Sequence, residues 1–236
     1  MRTVERKTHR GLVRPVNAMD HVQGSADAPL TLVEYGDYQC LDCFAARLVV
    51  AEVRVRLGES LRFVWRHFPV GTIHPLVEGA AEIAEAAAAQ DRFWAMHHKL
   101  LAYQGRMSGQ LLEIWARRIG IDVDRMRREL AERTYEPRVR ADLDGGLASG
   151  VHATPTFFIN GDRYLGRVGP DDLYAALVFR LPQANTQGSV PEFPVDGTRF
   201  SSHRPGSCSQ RCSETSDVER REAFSVRGAR PRRSPR

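Results

Sequence analysis

The sequence Cys40-Leu41-Asp42-Cys43 stands where one hydrophobic pattern gives way to another, and few folds accept a cysteine pair at that junction. Before it, residues 30–35 read L-T-L-V-E-Y, a short apolar run that follows turn-forming residues and reads as a buried strand. After it, Phe44, Leu48, Ala51 and Val55 recur at helical spacing until Gly58, so this stripe is the expected core face of a helix. A second strand is expected over residues 61–67, closed by Pro69. Strand, helix and strand in so short a stretch make a β-α-β unit, whose strands run parallel through a right-handed crossover.

That context gives the cysteines a chemistry. Two cysteines three apart on the opening turn of a helix can close a disulfide. The unpaired amides and positive dipole end of the helix stabilise a thiolate on the first. The spacing alone leaves half of a zinc site open as well. Two further cysteines, Cys208 and Cys212, lie in a C-x-x-x-C near the C-terminus. A zinc site built from all four, a pair of exposed tail thiols, and a tail thiol that resolves a mixed disulfide at Cys40 are the readings they allow.

The rest of the chain sorts by pattern. Residues 1–20 are polar and without period, and read as a flexible arm. No run of about 18 apolar residues is present, so no membrane span is expected. The N-terminus lacks an apolar signal-peptide core, and the expected location is cytoplasmic. From about residue 75 to 148 the pattern is helical. Its stripes are Leu76, Ala80, Ile83, Ala84 and Ala87; Phe93, Met96 and Leu100; Leu111, Ile114 and Trp115; and Val123, Met126 and Leu130, with breaks at Gly105 and Gly120. Strand pattern returns at residues 156–159. Asn160-Gly161 signals a hairpin, residues 163–165 run back, and residues 170–179 form a last helix behind Pro170. Residues 182–236, rich in Ser, Pro, Gly and Arg, read as a disordered basic tail. They hold ten Arg against six acidic residues, so four of the five net positive charges sit there. A basic tail without interleaved aromatics argues against nucleic acid as a partner. His67, His74, His97, His98 and His152 make no compact ligand spacing, and no metal is expected.

Several stretches together resemble one family. The run A-P-L-T-L-V-E-Y-G-D-Y-Q-C-L-D-C ending at Cys43, the run W-R-H-F-P at residues 65–69, and G-V-H-A-T-P-T-F-F-I-N-G at residues 150–161 resemble the DsbA-like branch of the thioredoxin superfamily. The resemblance covers roughly residues 20–181. It implies an α/β thioredoxin fold with an inserted all-helical subdomain. Cys40 would be the attacking cysteine and Cys43 the resolving one. Thr154-Pro155 matches the family's cis-proline loop, which offers backbone groups to a substrate chain; the alternative is an ordinary trans proline opening a strand. Glu34 matches a buried acid that relays a proton to or from Cys43; the alternative is a strand-edge carboxylate facing water. Leu41 and Asp42 depart from the family, since many oxidising members carry Pro followed by His or an aromatic residue there. The Asp42 carboxylate opposes thiolate formation and so tunes the pair toward reduction.

The expected function is therefore thiol-disulfide exchange with protein or peptide thiols and a redox partner, without organic cofactor or metal. The competing reading is a peptide-binding or chaperone module whose cysteines do not turn over. Neither substrate, net direction nor oligomeric state follows from these residues.

Overall fold

The computed structural model of the chain describes residues 11–70, 77–103 and 107–182. The β-α-β unit is present as expected, with β2 (Leu30–Gly36), α1 (Leu41–Leu57) and β3 (Leu61–His67). β2 and β3 pair in parallel, Leu32 opposite Phe63 and Glu34 opposite Trp65. A short strand missed in the sequence, β1 (His21–Gln23), adds antiparallel to the outer edge of β3. After the helical insertion, β4 (Thr156–Ile159) pairs antiparallel with β2, and β5 (Asp162–Arg163) with β4. The sheet order is β1-β3-β2-β4-β5. β5 starts at Asp162, one residue earlier than expected, because Asn160 and Gly161 both take positive φ and close a tight hairpin.

The insertion consists of α2 (Val77–Ala88), α3 (Phe93–Ala102), α4 (Gly109–Arg118), α5 (Val123–Ala131) and α6 (Glu136–Ala148), and the chain continues after β5 to α7 (Pro170–Val178). Capping follows sequence: Ser108 accepts from the Leu111 N–H at 3.2 Å and Asp122 from the Arg125 N–H at 2.9 Å. Among the described residues, three of the four expected stripes point inward. The third is rotated: Ala116 is buried and Leu112, Trp115 and Ile119 pack behind it, while Ile114 faces outward. Helix α6 carries no long apolar stripe, and its buried positions include Asp142 and Gly146. Gly146 lets Phe68 and Tyr35 approach closer than a Cβ would allow.

β2 is buried on both faces, as a central strand must be. Leu30, Leu32 and, by the two-residue alternation, Glu34 face the core under α1. Val33 and Tyr35 face the opposite core with Val64, Phe68, Val151 and Phe158. Gly36 ends β2 where a Cβ would overlap the Trp65 ring.

The core face of α1 differs from expectation. Cys43, Ala46, Val50 and Val53 are buried, whereas Leu48 and Val55 are 63% and 84% exposed. The helix carries apolar residues on both sides, so its period admits two solutions. The close seat on the sheet goes to the face with the small residue Ala46, and that rotation buries Cys43.

Residues 11–20, read from the sequence as part of a loose arm, are packed. Leu12 and Val16 lie on the second core cluster, and the Val13 N–H donates to Ser149 Oγ at 3.0 Å. Fully buried Arg66 then ties the arm to β3. It grips Asp20 with two bonds of 2.8 Å and donates to the Arg14 carbonyl at 2.8 Å, the Pro15 carbonyl at 3.1 Å and Tyr35 Oη at 3.0 Å. Residues 1–10, His74, Leu76, Gly105, and the tail with Cys208 and Cys212 lie outside the described residues.

Candidate active site

The residues before Cys40 set its position. Asp37 is buried; its Oδ1 accepts from the Gln39 N–H at 2.7 Å and its Oδ2 from the Val70 N–H at 3.2 Å. Its carbonyl accepts from the Cys40 N–H at 3.2 Å. This Asx turn delivers Cys40 to the N-cap of α1 in extended backbone. Sequence reasoning passed over Asp37, although an Asp two residues before Gln39 and next to Gly36 is a turn signal. Tyr38, also buried, places its hydroxyl 3.1 Å from His97 Nδ1 and stacks on Trp65.

Cys40 and Cys43 are both free thiols, and their surroundings split them. Cys40 is 9% exposed and Cys43 fully buried. The hydrogen bond from the Cys43 thiol, joined by Thr154 and by the N–H groups of Cys43 and Asp42, lowers Cys40 to about 5 against the opposing effect of burial. Cys43 is pushed well above the ordinary thiol range, first by donating to Cys40, then by burial and the neighbouring Glu34 charge. One sulfur is a thiolate at neutral pH and the other holds its proton.

The loop expected to carry the cis proline reaches this pair from the other end of the chain. The Thr154-Pro155 bond is cis, and the Thr154 carbonyl lies 3.2 Å from Cys40 Sγ. Leu41 is 69% exposed at the mouth of the site, and Asp42 is exposed beside it.

Glu34 lies beneath the cysteines, 1% exposed, in register with Trp65 on one side and Phe157 on the other. Burial, and next the charge of Cys40, raise it to about 8. A water-facing carboxylate, the alternative reading, does not describe it. An acid raised on folding weakens the fold as pH rises, because the unfolded chain releases the proton above about 4.5 and the native one keeps it to about 8. Glu34→Gln is therefore expected to match the wild type in urea unfolding at pH 4 and to exceed it by on the order of a few kcal/mol at pH 8, both in reductant. A constant difference across that range would mean Glu34 is ionised in the native protein.

Three residues on separate elements meet near the end of β3, beside Tyr38. His21 Nε2 and His67 Nε2 lie 2.8 and 2.9 Å from Glu85 Oε1, with ligand atoms all within 4.8 Å of one another. No local spacing signals it, since the three residues span 64 positions from His21 to Glu85. The trio has the donor types of a metal site. However, the Trp65 indole N–H donates to His67 Nδ1 at 3.3 Å, which places the His67 proton on Nε2, facing Glu85. The arrangement is a hydrogen-bonded anchor between β1, β3 and α2, and it holds Glu85 below the usual carboxylate range despite its burial.

Comparison with known proteins places these features in a group. Residues 16–178 match the family model described as thioredoxin. Among curated proteins, the chain is 44% identical over 158 residues to the Na(+)/H(+) antiporter NhaA 1 of Salinispora arenicola, covering 67% of this chain and 24% of that protein. It is 40% identical over 186 residues to the Na(+)/H(+) antiporter NhaA 3 of Salinispora tropica, covering 79% and 28%. The chain thus spans about a quarter of the length of these relatives. Among solved structures, oxidised BdbD from Bacillus subtilis aligns with a TM-score of 0.64 at 23% identity, over 69% of this chain and 93% of that one. A thioredoxin-like oxidoreductase from Silicibacter pomeroyi aligns at 0.59 and 25% identity, over 70% and 92%. The thiol-disulfide exchange protein alpha-DsbA2 from Wolbachia pipientis aligns at 0.58 and 19%, over 70% and 87%.

Proposed function

Because the chain belongs to the thioredoxin family, we propose that it is a thiol-disulfide oxidoreductase working through Cys40 and Cys43 on protein or peptide substrates. The observation that carries the reading is the split pair: a stabilised thiolate at a helix N-terminus, 3.2 Å from the carbonyl before a cis proline, above a buried protonated thiol. The Cys40 thiolate attacks one sulfur of a substrate disulfide. A mixed disulfide forms and the other substrate sulfur leaves as a thiolate, which takes a proton from water. Cys43 then passes its proton to Glu34 in the minor fraction in which that raised acid is ionised at neutral pH, and attacks the Cys40 sulfur. The second substrate sulfur leaves as a thiolate that takes the proton back from Glu34, so the substrate departs as a dithiol and the enzyme holds the two-electron disulfide; the reverse sequence oxidises a substrate. Thr154 and Pro155 present backbone to the substrate chain. No cofactor or metal enters the scheme.

The stabilised thiolate favours the dithiol form of the pair, so exchange runs toward substrate oxidation wherever a partner reoxidises it. In a reducing cytoplasm, the location expected from the sequence, the pair is held as a dithiol and works as a reductase. Asp42 pulls against the thiolate. A carboxylate at roughly 7 Å in an effective dielectric of about 40 repels it by on the order of 1 kcal/mol, equal to about 20 to 30 mV in a two-electron couple. Asp42→Asn is expected to raise the potential by a few tens of millivolts at low salt and by less at high salt. Glutathione equilibration measures it, and an unchanged or lower potential would remove Asp42 from the tuning.

The curated relatives favour a second reading, a module in the service of a larger membrane protein, since the chain matches about a quarter of proteins named as Na(+)/H(+) antiporters. A module that only binds peptide shows no insulin-disulfide reduction. An oxidoreductase shows it, and its Cys43→Ser variant accumulates mixed disulfides through Cys40 that dithiothreitol releases. Absence of both in the folded chain would leave the binding module.

A further inference from the structure

Under the cysteine pair, between α1 and α3, lies a cavity of about 270 Å³. Leu48, Val50, Phe63 and Leu101 line it with apolar surface. Glu34 lines it too, with a carboxyl oxygen, Oε1, that is buried and has no hydrogen-bond partner. So does Gln23, whose buried Oε1 also lacks a partner. A buried acceptor left unpaired is costly and calls for a donor. An apolar cavity of about 150 Å³ already accepts a benzene ring, so this one has room for a ring with a substituent.

We propose that this cavity binds a small neutral molecule made of an apolar body and a terminal N–H or O–H group, with the donor on Glu34 and the body against Phe63 and Leu101. The surrounding charges favour a neutral ligand over a cation. Arg47 and Arg54 of α1 and His98 of α3 line the cavity, and Glu34, raised to about 8, holds no negative charge for an ammonium group at neutral pH. The other titratable groups facing Glu34 are Cys40, Cys43 and buried Tyr38, and His97, which burial keeps neutral, lines the same cavity. A primary amide fits the acid at both ends, since its N–H donates to Oε1 and its carbonyl accepts the carboxyl proton. An occupant of this kind engages the acid that takes the Cys43 proton. That consequence rests on the thiol-disulfide reading, whereas binding does not.

The test uses the full chain and benzamide as probe, followed by calorimetry or ligand-observed NMR at pH 7. Saturable binding is expected for the wild type. At least tenfold weaker binding is expected for Glu34→Leu, which removes the acceptor, and for Ala51→Trp, which fills the cavity from the exposed side of α1. Toluene, without a donor, and benzylamine, a cation, should bind the wild type at least tenfold more weakly than benzamide. Either one matching benzamide, or unchanged benzamide affinity in folded Glu34→Leu or Ala51→Trp, overturns the assignment. Saturating benzamide should also slow insulin reduction at least threefold in the wild type and leave Ala51→Trp unaffected; binding without slowing overturns the effector role. A chain that binds benzamide as described and reduces no insulin keeps the site and instead fails the oxidoreductase reading.

Discussion

Cys40→Ser is expected to lower insulin reduction by about 10³-fold or more, because a serine hydroxyl neither ionises near neutrality nor forms the mixed disulfide. The size of the loss does not come from a faster attack by the native thiolate. At pH 7 a thiol lowered to about 5 is almost fully ionised, while an ordinary one is ionised to about 1–3%. The gain of about 30- to 100-fold in thiolate is offset by nucleophilicity, which falls by a similar factor over about four pKa units at a Brønsted coefficient of about 0.4–0.5. What the low pKa supplies is a good leaving group in the oxidising direction, when a second substrate thiol attacks the substrate sulfur of the mixed disulfide and releases Cys40 as a thiolate. Iodoacetamide should therefore modify Cys40 with a rate that rises through a midpoint near pH 5 and is flat above it, with Cys43 unmodified in the folded protein. The reduced fold gains from the same ionisation: this stability is fully present above the ordinary thiol value of about 9 and is lost as pH falls through about 5. Fastest alkylation at Cys43, or insulin reduction by Cys40→Ser within tenfold of the wild type, would reverse the assigned roles.

Asp20→Ala is expected to destabilise the fold by about 3–5 kcal/mol, read as a shift of the urea midpoint at pH 7. Arg66 and Asp20 are both fully buried, so deleting the carboxylate strands a guanidinium that has no route to water. Burial alone would raise Asp20, but the hydrogen bonds from Arg66 and the Asn17 N–H, with the charges of Arg66 and Arg14, hold it below the usual carboxylate value. Its contribution is therefore complete above about pH 4 and is lost as pH falls through its lowered folded value. Combining Asp20→Asn with Arg66→Met removes both charges and should recover at least half of the loss, leaving unmet the carbonyls of Arg14 and Pro15 and the Tyr35 hydroxyl, with Arg14 keeping its partner Asp142. A cost below about 1 kcal/mol for Asp20→Ala would mean that residues 11–20 are not held by this pair.

Much of the architecture was legible because it is written in local patterns. The apolar run of β2, the cysteines at the start of α1, the Asn160-Gly161 hairpin and the Pro170 helix start each depend on neighbours within a few residues, and the structure holds each near its expected position. Thr154-Pro155 was legible for another reason, its resemblance to a family loop, and it lies beside Cys40 across 114 positions of chain. The short strand β1 was not legible. Three residues carry no usable period, and the hydrogen bonds that define this strand come from β3.

The sequence by itself set Cys40 and Cys43 at a strand-to-helix junction, and resemblance to a family loop, rather than any local pattern, pointed to Thr154-Pro155. Only the tertiary structure decided which face of α1 is buried. The helix is apolar on both sides, and the choice rests on how closely Ala46 and Val53 seat against the sheet rather than on period. Long-range polar contacts were likewise invisible beforehand. Asp20 and Arg66 are 46 positions apart, and His21, His67 and Glu85 come from three elements, so their pairing exists only after β1, β3 and α2 have docked. The same holds for the state of Glu34. Its carboxyl is an ordinary acid in the chain and a raised one in the fold, because Trp65, Phe157 and the Cys40 charge surround it only when the sheet is assembled.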